Sequence, residues 1–408
     1  MKKILALMGF MVAVPLMGQS FYVCGDGNVE TWPSVEFSDN GRTLNGNRTT
    51  SSVDSITTHV PDLWYAGGDV SMLTKYEEKG AEYLDTEGNK IDNVLGWLKA
   101  QGWNAMRVRL FVDPSHDADR AVCQDLSYVK ELGRCIKAAG LLLTLDFHYS
   151  DTWADPGKQW TPQDWQSLSE EALKGRIYDY TKEVLEAMNA AGASPDFIQT
   201  GNEISYGMLW GPEGTTKNRC YASSNDNWDR FTALLKEAGR ACREVTPRAK
   251  IILHTERVAQ PSVLVNFYQK MEAAQVDYDV IGLSYYPYFH GTLNVLDQAL
   301  TQVEKAIGKE IQVVETGYPS KWEVPGTTFN YSGTYAYSPE GQRKYTEDLV
   351  ATLKSHAKVK GVFWWWPEAN EHGIDWQNAV TEKWYNAGLW DNETGKALPA
   401  VITLGKRE

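Results

Sequence analysis

Basic residues are in short supply. The 408-residue chain sets 40 Lys and Arg against 53 Asp and Glu, a formal net charge of −13. Phosphate backbones and anionic bilayers repel such a surface unless a basic patch intervenes, and no such patch is present, so nucleic acid and membrane surfaces are not expected partners. Cysteine is scarce as well. Cys24, Cys123, Cys135, Cys220 and Cys242 show neither CxxC nor Cys/His metal spacing. An exported chain could pair four of them, but the odd, scattered set fixes no connectivity. The seven histidines are equally dispersed. Neither GxGxxG nor GxxxxGK[ST] follows an early strand, so a nucleotide-site signature is missing. Beyond the N-terminus no apolar run reaches the ~18 residues of a membrane span, and neither a Pro/Gly linker nor a short-period repeat divides the chain.

What is abundant is aromatic: 16 Trp and 21 Tyr. Many such rings belong to the core, yet flat aromatic faces also suit stacking on sugars and other apolar ligand surfaces. With 42% hydrophobic and 23% charged residues, the composition is that of a globular protein with a large core. Residues 1–20 read as a secretory signal peptide: Met1-Lys2-Lys3, an apolar run from Ile4 to Met17, then Gly18-Gln19-Ser20. Cleavage after Ser20 and export to the periplasm, cell surface or medium are the expectation. Residues 21–61 are rich in Gly, Asn, Ser and Thr and are expected to be irregular.

From Trp64 the pattern alternates. Strand-like runs at Trp64–Val70, Ala105–Val112, Leu141–His148, Phe197–Glu203, Lys250–Thr255, Val280–Tyr286, Ile311–Glu315 and Gly361–Trp366 are separated by segments of helical periodicity. The helical segments lie near Val94–Gln101, Ser127–Ala139, Glu170–Ala191, Trp228–Glu244, Ser262–Ala274, Val295–Ile307 and Pro339–His356. Eight βα units predict an α/β protein, a (β/α)8 TIM barrel forming a single catalytic domain over residues 62–405.

In such a barrel the C-terminal strand ends and the loops after them build the active site. Glu203 closes the fourth strand candidate within Gly201-Asn202-Glu203, and Glu315 closes the seventh. Two carboxylates on opposite sides of a barrel mouth can flank one bond, the arrangement of retaining glycoside hydrolysis, in which the carboxyls stand roughly 5–5.5 Å apart. A lone strand-end glutamate is more often a salt-bridge or capping partner. The pair gains weight because His148 and Asp151, Tyr285 and Tyr286, and Trp364 to Trp366 converge on the same rim.

The segments GGDVSMLTKYEEKG, MRVRLFVDP, DFHYSDTWADPGKQ, QTGNEISYGMLW, IGLSYYPYFHG and VVETGYP resemble the successive motifs of glycoside hydrolase family fifty-three, the arabinogalactan endo-β-1,4-galactanases, from Gly67 to about Trp366. The resemblance implies a secreted retaining endo-hydrolase of β-1,4-galactan, with Glu203 as acid/base and Glu315 as nucleophile. It further implies that Asn202 meets the sugar 2-hydroxyl and that Arg107 or Arg109 orients the nucleophile. The two arginines share a strand face, so spacing does not choose between them. His148 and either Tyr285 or Tyr286 would hold the catalytic carboxylates, and Trp153 and Trp365 would stack on sugars. Two departures stand out. Family members often carry Trp-Glu-Pro at strand eight, where this chain has Trp365-Trp366-Pro367. Calcium-binding bacterial relatives carry an Asp/Asn/His-rich loop after strand seven, where this chain offers a single carboxylate, Glu323, so no metal is expected there. No cofactor is expected either, and the chain is expected to act as a monomer on a polysaccharide. The rival readings are a β-mannanase or cellulase of the same clan, and a catalytically silent carbohydrate-binding barrel.

Overall fold

The structure is a computed structural model that describes residues 63–381 and 385–406, together with the strand segments 20–23, 29–32, 36–37, 44–45 and 49–51. The chain divides into two compact units, residues 1–59 and 60–408. In the first, Ser20–Val23, Val29–Trp32 and Thr49–Ser51 form an antiparallel three-stranded sheet, and Glu36–Phe37 pairs with Leu44–Asn45. At these described segments the chain is paired strand, where composition led to an expectation of irregular structure over residues 21–61. A polar composition hid β-branched residues such as Thr31, Thr49 and Thr50, which suit strands without being apolar. The signal-peptide reading of residues 1–19 lies outside the described residues.

The second unit is a closed barrel of eight parallel strands: β1 (Tyr65–Asp69), β2 (Ala105–Leu110), β3 (Leu142–Phe147), β4 (Phe197–Thr200), β5 (Lys250–Thr255), β6 (Val280–Tyr285), β7 (Glu310–Thr316) and β8 (Val359–Trp365). Each strand pairs with its neighbour in sequence, and β8 returns to β1. The strand runs are buried on both faces, as expected of parallel strands covered by helices.

The seven helices expected from periodicity lie within about two residues of their expected ends, and the short helices Leu73–Glu78, Pro287–His290 and Pro399–Gly405 were not anticipated. Leu126–Ala138 buries Val129, Leu132, Gly133 and Ile136, one stripe at i, i+3, i+4 and i+7. Its first turn is closed by the Asp125 carboxylate, which accepts from the Tyr128 amide at 2.8 Å. The long helix Glu170–Ala190 begins at Ser169, whose hydroxyl accepts from the Ala172 amide, with Glu170 and Glu171 in the first turn favouring the positive end of the helix dipole. Of the five cysteines, the four among the described residues (Cys123, Cys135, Cys220, Cys242) are free thiols, so the pairing allowed by an exported chain is not made among them.

Two apolar clusters separate cleanly. The larger one fills the layer between strands and helices. The smaller one joins Tyr65, Ala105, Phe197, Ile252, Val280, Val314 and Phe363, one side chain from each of seven strands, and plugs the barrel axis. Counting in twos from these residues along each strand leads up the inward-facing column to the mouth.

Candidate active site

Arg107 is the hub of the mouth. It stands two residues above Ala105 on β2, fully buried, and its guanidinium reaches Asp69 on β1 (2.8 Å), Asp146 on β3 (2.8 Å), Asn202 after β4 (2.8 Å) and Glu315 on β7 (2.9 Å). Asp69 also takes Arg109 at 2.8 Å and the Ser71 hydroxyl. Gln199 donates to Asp146 and accepts from Arg107 Nε. A buried cation is tolerated only when its charge and hydrogen-bonding capacity are met, and here three carboxylates surround it. Asp146 is held below the usual carboxylate range, burial being outweighed by Arg107 and His148.

Glu315 faces the barrel axis because β7 carries a bulge. Leu283 pairs with Val313, but the next residue of β6, Ser284, pairs with Glu315 and skips Val314; pairing with β8 also slips in this stretch. Val314 and Glu315 are neighbours in sequence, yet one plugs the barrel below while the other lines the mouth, which an unbroken strand forbids. Glu315 accepts from the Tyr286 hydroxyl at 2.9 Å and from Ser284 at 3.4 Å on the oxygen that Arg107 does not hold. Burial raises its pKa above the usual carboxylate range, and Arg107 and Tyr286 offset only part of that rise.

Glu203 is presented differently. β4 ends at Thr200, three residues short of the sequence expectation, because Gly201 turns with φ 103° and Glu203 itself is left-handed at φ 48°. A non-glycine residue there is strained, and such strain concentrates where a side chain must be aimed. The turn is held by β5: the Ile204 amide donates to the His254 carbonyl (2.9 Å) and the Glu203 amide to His254 Nδ1 (3.3 Å). Burial and nearby Arg107 keep His254 neutral, so with its proton on Nε2 it donates to Ser284 at 2.8 Å. Among the described residues the charged groups acting on Glu203 are the carboxylates Glu315, Glu256 and Asp155. Burial, then the charges of Glu315 and Glu256, raise it well above the usual carboxylate range. Both glutamates open into a cavity of about 640 Å³, walled by Trp153, Trp365, Tyr286 and Phe289.

Against known proteins, the sequence profile described as glycosyl hydrolase family 53 matches residues 65–404, most of the chain. The chain belongs to glycosyl hydrolase family 53. It is 30% identical to a protein named endo-β-1,4-galactanase from Bacillus subtilis over 374 residues, covering 82% of this chain and 84% of that one. It is 32% identical to an arabinogalactan endo-β-1,4-galactanase of Cellvibrio japonicus, with coverages of 83% and 90%. The family 53 catalytic domain of Ignisphaera aggregans superposes with a TM-score of 0.72 at 32% identity, over 86% of this chain and 98% of that one. An endoxylanase of family 10, at 16% identity and a TM-score of 0.54 over 84% and 96%, shares the fold alone.

Within this family 53 glycoside hydrolase the structure brings together most of the residues singled out by sequence and separates the rest. Of the two arginines, Arg107 holds Glu315; Arg109 stops at Asp69, its guanidinium lying 4.5 Å from the Trp153 ring. Of the two tyrosines, Tyr286 reaches Glu315. Tyr285 turns to the opposite strand face and donates to the Gly291 carbonyl, so it holds no catalytic carboxylate. His148 is a correction as well: its Nε2 meets Asp146 at 3.1 Å and its Nδ1 accepts from the Ala154 amide, one step removed from either glutamate. Asp151 lies off the cleft in a separate polar pocket, its carboxylate spent on the Asp113 and Gln163 amides and His116, an anchor for the loop rather than a sugar contact. Trp153 and Trp365 both line the cleft, 6.3 Å apart edge to face. Trp366, where family members often carry glutamate, is buried and stacks on Tyr385 at 5.3 Å. The carboxylate near that point is Glu368, whose Oε1 accepts from the Met72 amide.

Sequence reasoning passed over Asp69, Asp146, Gln199, His254 and Ser284. A signal existed: each is a polar residue inside an apolar strand run, and all five are fully buried, enclosed by side chains from other strands that sequence does not place nearby.

Proposed function

We propose that this chain cleaves internal β-1,4-galactosyl bonds with retention of anomeric configuration, Glu315 acting as nucleophile and Glu203 as acid and then base. One contrast carries the assignment of roles: Arg107 and Tyr286 stand on Glu315, favouring its anion, whereas the charged groups acting on Glu203 among the described residues are carboxylates, which favour its protonated form. A Glu315 oxygen attacks the anomeric carbon as the bond to the leaving sugar breaks, and the Glu203 proton passes to the departing oxygen. Glu203, now ionised, takes a proton from water, whose oxygen displaces Glu315 from the same carbon. Asn202, fixed by Arg107 and by its own bond to the Ala154 carbonyl, stands where a 2-hydroxyl can be met. Trp153 and Trp365 offer flat faces for sugar rings. Galactan is the substrate named for the relatives, and the aromatic, mostly apolar cleft suits an uncharged polysaccharide. Action as an exported monomer on pectic arabinogalactan side chains completes the reading.

The test is substrate release and chemical rescue together. Linear β-1,4-galactan should yield short oligosaccharides before galactose, faster than mannan, xylan or soluble cellulose; galactose alone, or faster cleavage of mannan, refutes the substrate. Glu203→Ala should lose about 10²–10⁴-fold on galactan while keeping fast glycosylation from an aryl glycoside whose phenolate departs unaided. Azide should give the β-galactosyl azide with Glu203→Ala and the α anomer with Glu315→Ala. Exchanged anomers mean that the two roles are reversed.

A further inference from the structure

A third carboxylate stands at the mouth without a part in the reaction. Glu256 follows β5, is 9% exposed and lines the cleft together with Glu203. The Ser205 hydroxyl donates to its Oε1 at 2.5 Å and Arg257 Nε lies 2.9 Å from the same oxygen; Oε2 is buried with no partner among the described residues. Ser205 is two residues beyond Glu203, so the strained turn is tied to the end of β5 at three successive points: Glu203 N and Ile204 N on His254, and Ser205 Oγ on Glu256.

Leaving a carboxylate oxygen buried and unpaired costs stability, so the position calls for a reason beyond packing. We propose that Glu256 is a positioning residue for Glu203: its bond to Ser205 locks the turn that aims the acid, and its negative charge keeps the proton on Glu203 until the leaving oxygen takes it. The proposal rests on the reading of Glu203 as the acid. The groups facing Glu203 are Glu315 from β7, Ser284 from β6, neutral His254 and Glu256 from β5, and Asp155 from the loop after β3. Those facing Glu256 are Arg257, Ser205 and Asp155. Burial, with Asp155, raises the pKa of Glu256 above the usual carboxylate range, and Arg257 and Ser205 lower it only in part. The charge of Glu315 acts on Glu203 from across the cleft and is the larger influence; Glu256, paired with Arg257, adds to it from the side of the turn itself.

The experiment is the pH profile of kcat/KM on galactan for the wild type, E256Q and E256D, with folding followed by thermal melting. Glutamine keeps an acceptor for Ser205 but removes the charge, so the alkaline limb should move to lower pH by about one unit. Aspartate keeps the charge and should restore the limb even where kcat falls. On an aryl glycoside with a good leaving group, E256Q should lose at least tenfold less than on galactan. An E256Q profile that falls in height with its alkaline limb unmoved overturns the inference, because a merely structural role would do that. If Glu203→Ala leaves the wild-type alkaline limb intact, the acid assignment fails and this inference with it. If another β-glycan proves to be the substrate, the profile is run on that glycan and the inference stands or falls on the same shift.

Discussion

The lower and upper halves of the barrel axis are built from the same strands and the same inward column, yet differ in kind. Below, Tyr65, Ala105, Phe197, Ile252 and Val280 pack as hydrocarbon and aromatic ring, with Tyr65 and Phe197 edge to face at 5.1 Å. Two to four residues higher stand Asp69, Arg107, Gln199, His254 and Ser284, joined by hydrogen bonds and ion pairs. The lower layer is held by area removed from water, which tolerates any side chains of fitting volume. The upper layer is held by mutual satisfaction of charges, in which the loss of one member leaves the others buried and unpaired. Stability and catalysis are thus segregated by height along one axis.

The sharpest way to break that contrast is Arg107→Ala. Removing the hub leaves Asp69, Asp146 and Glu315 facing one another, so kcat/KM should fall by at least about 10²–10³-fold. Thermodynamic stability should drop by about 3–5 kcal/mol, the cost of stranding buried charge. A variant that melts like the wild type and keeps more than a tenth of its activity would show that the network is not a unit. At the bottom, Phe197→Ala should cost a comparable 3–5 kcal/mol in denaturant unfolding through the cavity it leaves. Its kcat/KM, measured well below the melting point, should stay within about threefold of wild type, since no functional side chain rests on that ring. A large catalytic loss there would mean that the plug, and not only the mouth, sets the geometry of the glutamates.

The smallest expected effect sharpens the comparison beside the mouth, at a further buried carboxyl. Glu368, fully buried, has its pKa pushed up to about 8 by burial and by the charge of Asp69. A carboxyl that keeps its proton in the folded state but loses it at the ordinary value when unfolded makes the unfolded state the weaker proton binder between those two values. Stability from this group therefore falls as pH rises from about 4.5 to about 8. Glu368→Gln should flatten that decline by a few degrees in melting temperature across the window, as read by melting at pH 5, 6.5 and 8. An unchanged slope would mean that the carboxyl is ionised in the folded protein.

Much of this molecule was legible as a string. The alternation of apolar runs with helical stripes defined the βα units because a strand buried on both faces must be apolar and a covering helix needs one apolar face. The structure adds what starts two of those helices, Asp125 and Ser169, whose side chains accept from amides that would otherwise be orphaned. The motifs around Glu203 and Glu315 carried the family and with it the two carboxylates. Three choices stayed open or went astray, and each depends on something sequence does not encode locally. Arg107 and Arg109 have the same parity, so only depth along the barrel, measured against β7, assigns Arg107 to Glu315. His148 was matched to a glutamate by the family resemblance, whereas its partner in the structure is Asp146, two residues before it within an apolar strand run. Residues 21–61 were read by composition, which does not register pairing between polar strands.

The periodicity of side chains, the caps and the motif spacing are local properties, and these the sequence determined by itself: eight parallel strands, their covering helices, and two glutamates near the strand ends. Where those glutamates point is not local. Glu315 lies on the inward face only because Val314 bulges against β6 and β8, and Glu203 enters the cleft only because a left-handed turn is pinned to the end of β5. Both depend on hydrogen bonds between strands far apart in the chain, whose pairing register is decided when the barrel closes.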